Sequence, residues 1–204
     1  MLFKSTLVTI VVACLSVVAV QAHSSIEYPC PRYANFKGCP APPKGKQSST
    51  PATKRFKVKA GQTISTKYNI GASHGGGHCQ WALSYDNGKN WVVIHTVMRN
   101  CLKGAQFGAN VKIPVKIPSS APGGKAILQW YWNNAIGNRE LYSNCIDIDV
   151  QGKNGGKLSG VQPLIANYGR KSYHIPEFPG AKDKDGSDAF KKRRKITITV
   201  PKRK

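Results

Sequence analysis

Two histidines separated by three glycines are the first residues in this chain that could bind a metal ion. Residues 74–80 read His-Gly-Gly-Gly-His-Cys-Gln, so His74 and His78 lie four positions apart. Imidazole is the commonest side-chain ligand of copper and zinc, and glycine lets the backbone adopt unusual angles and lets other atoms approach closely. The stretch therefore predicts a metal site, although a flexible glycine loop with two solvated histidines is an alternative interpretation.

A third histidine follows a stretch that has the features of a secretory signal peptide. Residues 1–22 contain the positive Lys4, an apolar run from Leu7 to Val20, and small residues before an expected cleavage point after Ala22. The apolar run is too short for a convincing membrane span. We therefore expect a secreted, extracellular protein with no integral membrane segment, whose first residue is His23.

An N-terminal histidine would offer two nitrogen ligands from one residue, its imidazole and its α-amino group. An ordinary α-amine has a pKa of about 7.7–8.0, so a metal can displace its proton at modest cost near neutral pH. One more imidazole, from His74 or His78, would complete a T-shaped site of three nitrogens with His23. Such planar nitrogen ligation suits copper(II) better than zinc, which prefers a tetrahedron.

A second group of residues that could do chemistry lies near position 140. Glu140 and Tyr142 are two residues apart, so on a strand their side chains face the same side. A carboxylate and a phenol beside a metal could act as an outer proton source and an axial partner. The alternative interpretation is a core tyrosine and a rim charge that pairs with Arg139.

Short alternating segments separated by turn signals must position these residues; in one of them Trp81, Leu83 and Tyr85 alternate on one face. Asn87-Gly88 is a strong hairpin signal, and no long amphipathic helix is evident. Residues 23–53 contain six prolines and are expected to be irregular. The pattern predicts an all-β fold, an immunoglobulin-like or fibronectin-like β-sandwich. Strands are predicted at residues 54–60, 63–70, 80–85, 91–97, 111–117, 126–132 and 142–150.

The cysteines predict a protein with disulfide bonds. Of six cysteines, one lies in the expected signal peptide, which leaves an odd number. Two disulfides and one spare thiol, or an intermolecular bond, are therefore expected in a secreted protein. Cys79 and Cys101 flank a hairpin-like unit and are predicted to pair. Cys145 is predicted to pair with Cys30 or Cys39.

The chain is strongly basic, and its C-terminal part is the most basic. There are 31 Lys and Arg against 9 Asp and Glu, which gives a formal net charge of +22 at pH 7. We expect a β-sandwich domain over residues 23–151 and a long, largely irregular basic extension over residues 152–204. Within the extension, Ile196 and Ile198 alternate with threonine and could add an edge strand. The basic run at 191–195 favours an anionic partner, or is only a solvated tail.

Taken together, these motifs resemble a known family. The expected N-terminal histidine, the stretch of residues 74–80 and the sequence Gly-Asn-Arg-Glu-Leu-Tyr-Ser-Asn-Cys at 137–145 resemble the fungal chitin-active lytic polysaccharide monooxygenases of auxiliary activity family eleven. The resemblance implies a copper-dependent oxidase that holds one copper in a histidine brace on a flat face of an immunoglobulin-like sandwich. It also implies that the enzyme removes hydrogen from a glycosidic C–H bond, after which the polysaccharide chain breaks.

The resemblance also assigns roles to individual residues. His23 matches the N-terminal histidine of the brace and His74 matches the second histidine. Tyr142 matches the axial tyrosine and Glu140 the carboxylate beside it, so these two are the candidate catalytic residues. His78 stands where the family usually has a small residue, and it remains an alternative metal ligand.

Three functions of different classes follow. The first is a monomeric copper monooxygenase acting on chitin or a related β-1,4-glycan, with an external electron donor and O2 or H2O2. The second is a copper-binding or polysaccharide-binding protein of the same fold without turnover. The third is a basic secreted protein that acts on an anionic cell-wall polymer, nucleic acid or membrane, although the chain contains no recognised nucleic-acid-binding motif.

Overall fold

The computed structural model describes residues 24–32, 54–180 and 184–203. The expected signal peptide, His23 and Cys39 lie outside the described residues. Among the residues that are described, no helix is both long enough and apolar enough to cross a membrane.

The described residues form ten strands and one short helix in two sheets. In chain order the elements are β1 (Ser25–Tyr28), β2 (Phe56–Lys59), β3 (Thr63–Asn69), β4 (Gly77–Ser84), β5 (Val92–Val97), β6 (Val111–Lys116), β7 (Gly124–Asn134), β8 (Leu141–Gln151), β9 (Gly156–Val161), α1 (Ser187–Lys191) and β10 (Lys195–Val200). The smaller sheet has the strand order β1-β3-β6 and the larger one has the order β10-β9-β5-β4-β7-β8-β2. An all-β sandwich is therefore confirmed.

The core lies between the two sheets and is dominated by large aromatic side chains. Tyr68 of β3 faces Trp130 of β7 with 5.0 Å between ring centroids. Its hydroxyl accepts a hydrogen bond from Trp81 Nε1 of β4 at 3.0 Å and lies 2.9 Å from Thr66 Oγ1. The buried polar atoms of these rings are thus satisfied, as a stable core requires. The strictly alternating burial of β3 explains why its inward side chains meet the larger sheet.

Strand β4 is buried along its whole length because both of its faces are covered. Trp81 and Leu83 face the core between the sheets, as the alternation predicted. On the opposite face the side-chain amide of Gln80 donates to the Leu164 carbonyl at 2.9 Å, and the Leu164 N–H donates to Gln80 Oε1 at 2.9 Å. The segment after β9 therefore covers the outer face of β4.

The predicted hairpin and one predicted disulfide are confirmed. Asn87 and Gly88 adopt φ values of 58° and 88° in the turn between β4 and β5. A disulfide joins Cys79 to Cys101, with 5.8 Å between their Cα atoms.

The predicted pairing of Cys145 is wrong. Cys30 is disulfide-bonded, but Cys145 of β8 is a free, half-buried thiol. The spacing of cysteines along the chain does not say which two β-carbons come close enough to bond, because that distance is set by the packing of the sheets.

Two strands arise where the sequence predicted irregular chain. Ser25–Tyr28 forms β1 against β3, although the surrounding segment is rich in proline. Gly156–Val161 forms β9, which two glycines in six residues had hidden from the alternation pattern. The edge strand suggested by Ile196 and Ile198 is confirmed as β10, which pairs with β9 along six residues.

The description of residues 152–204 as a largely irregular extension therefore needs correction. Irregular chain is found over residues 162–180, but β9 and β10 extend the larger sheet. The intervening segment forms its own small apolar cluster with the residue that follows β7; the cluster is made of Ala135, Ala166, Ile175, Phe178 and Phe190. Burial of these side chains accounts for its ordered path despite many polar residues.

Candidate functional site

His74 lies in a turn that leads into β4, and its backbone has a left-handed conformation with φ 46°. The three glycines that follow also have positive φ values. A Cβ at Gly77 would lie 2.1 Å from the Asn133 carbonyl oxygen, and one at Gly76 would lie 2.6 Å from the Arg99 carbonyl oxygen. Glycine is therefore needed because the backbone carbonyls of Asn133 and Arg99 leave no room for a side chain in this turn. The alternative of a loose glycine loop is not supported.

The ring of His74 belongs to an aromatic cluster at the end of β7 and β8. Its centroid lies 5.9 Å from that of Trp132 and 6.3 Å from that of Tyr142, and the imidazole and tyrosine planes are inclined by 29°. Trp132 and Tyr142 are cross-strand neighbours with centroids 4.8 Å apart. A Cβ at Gly137 would lie only 3.3 Å from His74 Nδ1. The imidazole is thus held between two rings and a backbone segment.

Tyr142 and Glu140 contact each other directly, as their spacing predicted. The Tyr142 hydroxyl donates a short hydrogen bond to Glu140 Oε2. Burial, followed by this bond to the carboxylate, raises the pKa of the Tyr142 phenol above its usual value, so the phenol stays protonated at neutral pH. The structure brings one imidazole, one phenol and one carboxylate to the same end of the sandwich.

Arg139 does not form an ion pair with Glu140, so the pairing suggested in the alternative interpretation of the carboxylate is not found. The Arg139 guanidinium donates to the Ile175 carbonyl at 3.1 Å and to the carbonyl of Asn134. The Glu140 backbone N–H donates to Asn134 Oδ1 at 3.2 Å. Asn134 thus positions the backbone of Glu140, and the Glu140 carboxylate accepts its hydrogen bond from Tyr142.

The structure does not support His78 as the alternative metal ligand. His78 is 1% exposed, and the Arg99 backbone N–H donates to its Nδ1 at 3.0 Å. Nδ1 is therefore an acceptor, so Nε2 carries the hydrogen and donates to the Asp185 carbonyl at 2.7 Å. Its ring also stacks on Phe178 with 4.6 Å between centroids. Both nitrogens are in use, and burial lowers the pKa of His78, so the ring is neutral and structural.

The two remaining histidines beyond residue 24 lie elsewhere. His95 is in β5 and packs on Trp81 with 5.1 Å between ring centroids. His174 is an exposed residue of the irregular segment. The structure thus places neither residue in the aromatic cluster around His74.

Two residues that organise the site were missed by sequence reasoning. Asn134 is fully buried, and its side-chain amide donates to the carbonyls of Ile136 at 3.0 Å and Asn138 at 2.7 Å. Glu177 Oε1 accepts the Gly137 backbone N–H at 2.6 Å, next to His74. Glu177 is 40 residues from Gly137 in the chain, so no local pattern could have linked them.

The described residues contain only part of a possible metal site. No group of three or more His, Cys, Asp or Glu side chains comes together within residues 24–32, 54–180 and 184–203. However, Ser24 directly follows His23 in sequence, and its hydroxyl donates to the Ala72 carbonyl at 2.9 Å, two residues before His74. The Ile26 N–H donates to Asn144 Oδ1 at 3.0 Å, two residues after Tyr142. The start of β1 is thus hydrogen-bonded to the chain near His74 and to the chain near Tyr142.

Comparison with curated proteins confirms the resemblance that the motifs suggested. The chain is 39% identical over 130 residues to AA11 family lytic polysaccharide monooxygenase A of Aspergillus fumigatus, covering 64% of this chain and 57% of that protein. It is 32% identical over 172 residues to the B enzyme of the same species, covering 74% of this chain and 40% of that protein. An AA11 family enzyme of Aspergillus oryzae is 29% identical over 201 residues, covering 86% and 47%. The chain is therefore homologous to AA11 family lytic polysaccharide monooxygenases and spans about half the length of the curated relatives it matches.

Solved structures and family models add less. A cellulose-active polysaccharide monooxygenase from M. thermophila is 16% identical with a TM-score of 0.42, covering 52% of this chain and 58% of that one. A lytic polysaccharide monooxygenase from Kitasatospora papulosa is 18% identical with a TM-score of 0.37, covering 50% and 54%. No family model matches the chain.

Proposed function

We propose that this protein is a secreted, monomeric, copper-dependent polysaccharide monooxygenase that acts on chitin or a related β-1,4-glycan. One observation carries the proposal: the His74 imidazole stacks near Tyr142, whose hydroxyl is bonded to Glu140, in a chain homologous to AA11 family enzymes. The reaction needs an external electron donor and O2 or H2O2.

Copper would be held by the amine and imidazole of His23 together with the imidazole of His74. This ligand set needs cleavage after Ala22, so that His23 becomes the first residue. Tyr142 would lie beside the metal as a weak ligand. Imidazole and amine nitrogens suit copper, which when bound would supply one-electron redox chemistry toward the oxidant. The anchoring of Ser24 beside Ala72 supports an N-terminal residue close to His74.

Glu140 and Tyr142 would have separate tasks. Glu140 is a carboxylate within hydrogen-bond reach of the phenol, and it can accept or return a proton during oxidation. The raised pKa of Tyr142 keeps its phenol neutral, so it orients the carboxylate without adding charge. Trp132 packs against the rings of His74 and Tyr142 and limits their movement.

Exposed apolar side chains beside this cluster would contact the polysaccharide. Ile136, next to the turn that contacts His74, is 39% exposed. Tyr168 and Tyr173 are 68% and 47% exposed on the segment after β9. That segment is fixed to the end of β7, since Asn133 Nδ2 donates to the Ala166 carbonyl at 2.8 Å. Tyrosine rings with one polar end suit the apolar faces of sugar rings.

A second partner is proposed from the charge. The basic residues after Gly152 would contact an anionic polymer, such as a component of a cell wall. Long-range attraction of this kind is electrostatic and does not require the copper site.

The decisive experiment compares the wild-type protein with Glu140→Gln after copper loading. Products from chitin and from cellulose are analysed by mass spectrometry in the presence of a reductant. We expect oxidised oligosaccharides from the wild type and at least a roughly 10-fold lower yield from Glu140→Gln, with copper affinity unchanged, because the carboxylate acts on proton transfer and not on ligation. Wild-type protein that binds copper and releases no oxidised product from either glycan would identify a binding protein instead.

A further inference from the structure

Strands β9 and β10 form a two-stranded ribbon at one edge of the larger sheet. They pair antiparallel, with Thr197 opposite Ser159 and Thr199 opposite Lys157. Residues that lie opposite each other in this way share one face of the sheet. Leu158 and Ile198 point into the core, so Lys157, Ser159, Lys195, Thr197 and Thr199 form the solvent face of the ribbon. We call these five residues the ribbon face.

The region around the ribbon face carries charge of a single sign. Residues 153–161 and 189–203 contain nine Lys and Arg and no Asp or Glu. The adjacent strand β5 has no acidic residue either. No ion pair with Lys157, Lys195, Lys202 or Arg203 is formed within the described part of the chain. The charge of these four residues is therefore not neutralised by an ion pair, whereas Lys191 of the same region pairs with Asp188.

The structure separates the five-residue basic run into inward and outward side chains. Arg193 turns inward, where Nη1 donates to Gln80 Oε1 at 2.9 Å and the guanidinium lies 5.3 Å from the Phe190 ring centroid. Lys191 pairs with Asp188 at 3.3 Å. Lys192 and Lys195 remain on the surface. The run is part of a folded edge, and the alternative of a solvated tail does not describe it.

The other end of the ribbon is also anchored. Asn154 and Arg203 exchange two hydrogen bonds, from the Arg203 N–H to Asn154 Oδ1 at 2.8 Å and from Asn154 Nδ2 to the Arg203 carbonyl at 3.0 Å. The backbone that carries Lys202 and Arg203 is thereby held beside Asn154, which precedes Lys157 in the chain. Basic side chains therefore lie at both ends of the ribbon, on backbone that is held by hydrogen bonds. Less conformational entropy of this backbone is then lost when an extended ligand binds.

Hydroxyl groups occupy the space between the charged ends. Ser159 Oγ and Thr197 Oγ1 lie 2.8 Å apart, and Thr199 is the next outward residue on β10. Hydroxyls can donate to and accept from the hydroxyls of a sugar, while lysine ammonium groups attract carboxylates as point charges. Residues 153–161 and 192–203 contain no aromatic residue, so this face offers nothing on which a nucleic-acid base could stack.

We infer that the ribbon face binds an extended acidic polysaccharide of the polyuronate type. Six residues of strand span about 20 Å, which is long enough to contact several sugar units. This inference rests on the proposed contact with an anionic polymer and does not depend on copper chemistry. It names the surface and the chemistry of the partner: lysines for the carboxylates, and a row of hydroxyls for the sugar hydroxyls.

The test uses the full chain, sodium polygalacturonate as the probe, and affinity electrophoresis at low and physiological salt. The ribbon variant is Lys157→Gln with Lys195→Gln. The matched control is Lys57→Gln with Lys59→Gln, which removes the same charge from exposed positions of β2 at the opposite edge of the sheet. We expect the ribbon variant to bind at least about 5-fold more weakly and the control to change by less than about 2-fold, with a smaller salt dependence only in the ribbon variant.

Further measurements decide between the surface and its alternatives. Thr197→Val should weaken binding of polygalacturonate with unchanged salt dependence, because it removes a hydroxyl and no charge.

Equal weakening in the ribbon and control variants would show that net charge alone attracts the polymer, which overturns the inference while the anionic contact stands. No retention of the wild type would overturn both. Tighter binding of single-stranded DNA, lost with the same two lysines, would replace the polysaccharide by a nucleic acid. Chitin oxidation assayed in parallel tests the copper enzyme independently.

Discussion

His74 and His78 are four residues apart in one motif, yet they have opposite environments. His74 is half-buried between two aromatic rings at the end of the sandwich. His78 is fully buried, and backbone groups at Arg99 and Asp185 occupy both of its nitrogens. The difference teaches that a pair of histidines at ligand-like spacing can divide into one candidate ligand and one structural residue. What divides them is the segment after β9, which covers His78 and leaves His74 beside Tyr142.

The largest effect should come from Gly77→Ala, because Gly77 lies in the turn that both histidines share. A Cβ there would lie 2.1 Å from the Asn133 carbonyl oxygen on rigid backbone of β7. We expect the free energy of unfolding to fall by about 4 kcal/mol, measured by chemical denaturation. Gly104→Ala is the control, since φ is also positive there but no atom lies within 4 Å of the added Cβ. It should cost roughly 1 kcal/mol, and an equal loss in both variants would contradict the steric explanation.

His78→Ala should separate the two histidines by stability. The change leaves the Arg99 N–H and the Asp185 carbonyl without a partner and opens a cavity beside Phe178 and Phe190. We expect a loss of about 3 kcal/mol in the free energy of unfolding, with copper affinity of the folded protein nearly unchanged. His174→Ala, at an exposed position, should cost less than about 0.5 kcal/mol. Loss of copper binding in His78→Ala protein that is still folded would move the ligand to position 78.

His74→Ala should show the reverse behaviour. Removing one of three nitrogen ligands should weaken copper(II) binding by at least about 100-fold, equivalent to about 2.8 kcal/mol, and change the EPR spectrum. The unfolding free energy of the metal-free protein should change by less than about 1 kcal/mol because the ring is only half-buried. Calorimetric titration of protein whose N-terminus has been verified as His23 provides the measurement. Unchanged affinity would remove His74 from the proposed site.

The smallest effect concerns pH. Burial lowers the pKa of His78, so the folded protein binds fewer protons there than the unfolded chain does. The stability contributed by the neutral His78 ring is fully present above the unfolded pKa of about 6.5. It is lost as the pH falls through the lower pKa of the folded state. Asp185, whose pKa is lowered to about 2, stays charged throughout that window. Urea denaturation between neutral pH and pH 4 should therefore show declining stability, with a shallower decline in His78→Ala. His95 contributes with the same sign in both proteins, so an identical slope would count against His78.

Local patterns predicted a large share of the fold. Alternation placed Trp81 and Leu83 in the core, and Asn87-Gly88 marked the hairpin, because both signals depend only on the geometry of neighbouring residues. The two-residue spacing of Glu140 and Tyr142 correctly placed their side chains together. The pairing of Cys145 failed because cysteine order along the chain does not encode distance across a sheet.

The sequence by itself determined most of the strands, although not β1 or β9, together with the turn that precedes β4, the homology to AA11 family enzymes and the excess of positive charge. Only the tertiary structure decided which histidine is accessible, and it did so through contacts between distant residues. The His78 to Asp185 bond spans 107 positions and the Glu177 to Gly137 bond spans 40. The same long-range packing turned a basic run into the edge of a sheet. Such contacts depend on how several apolar faces are buried at once, and no single segment carries that information.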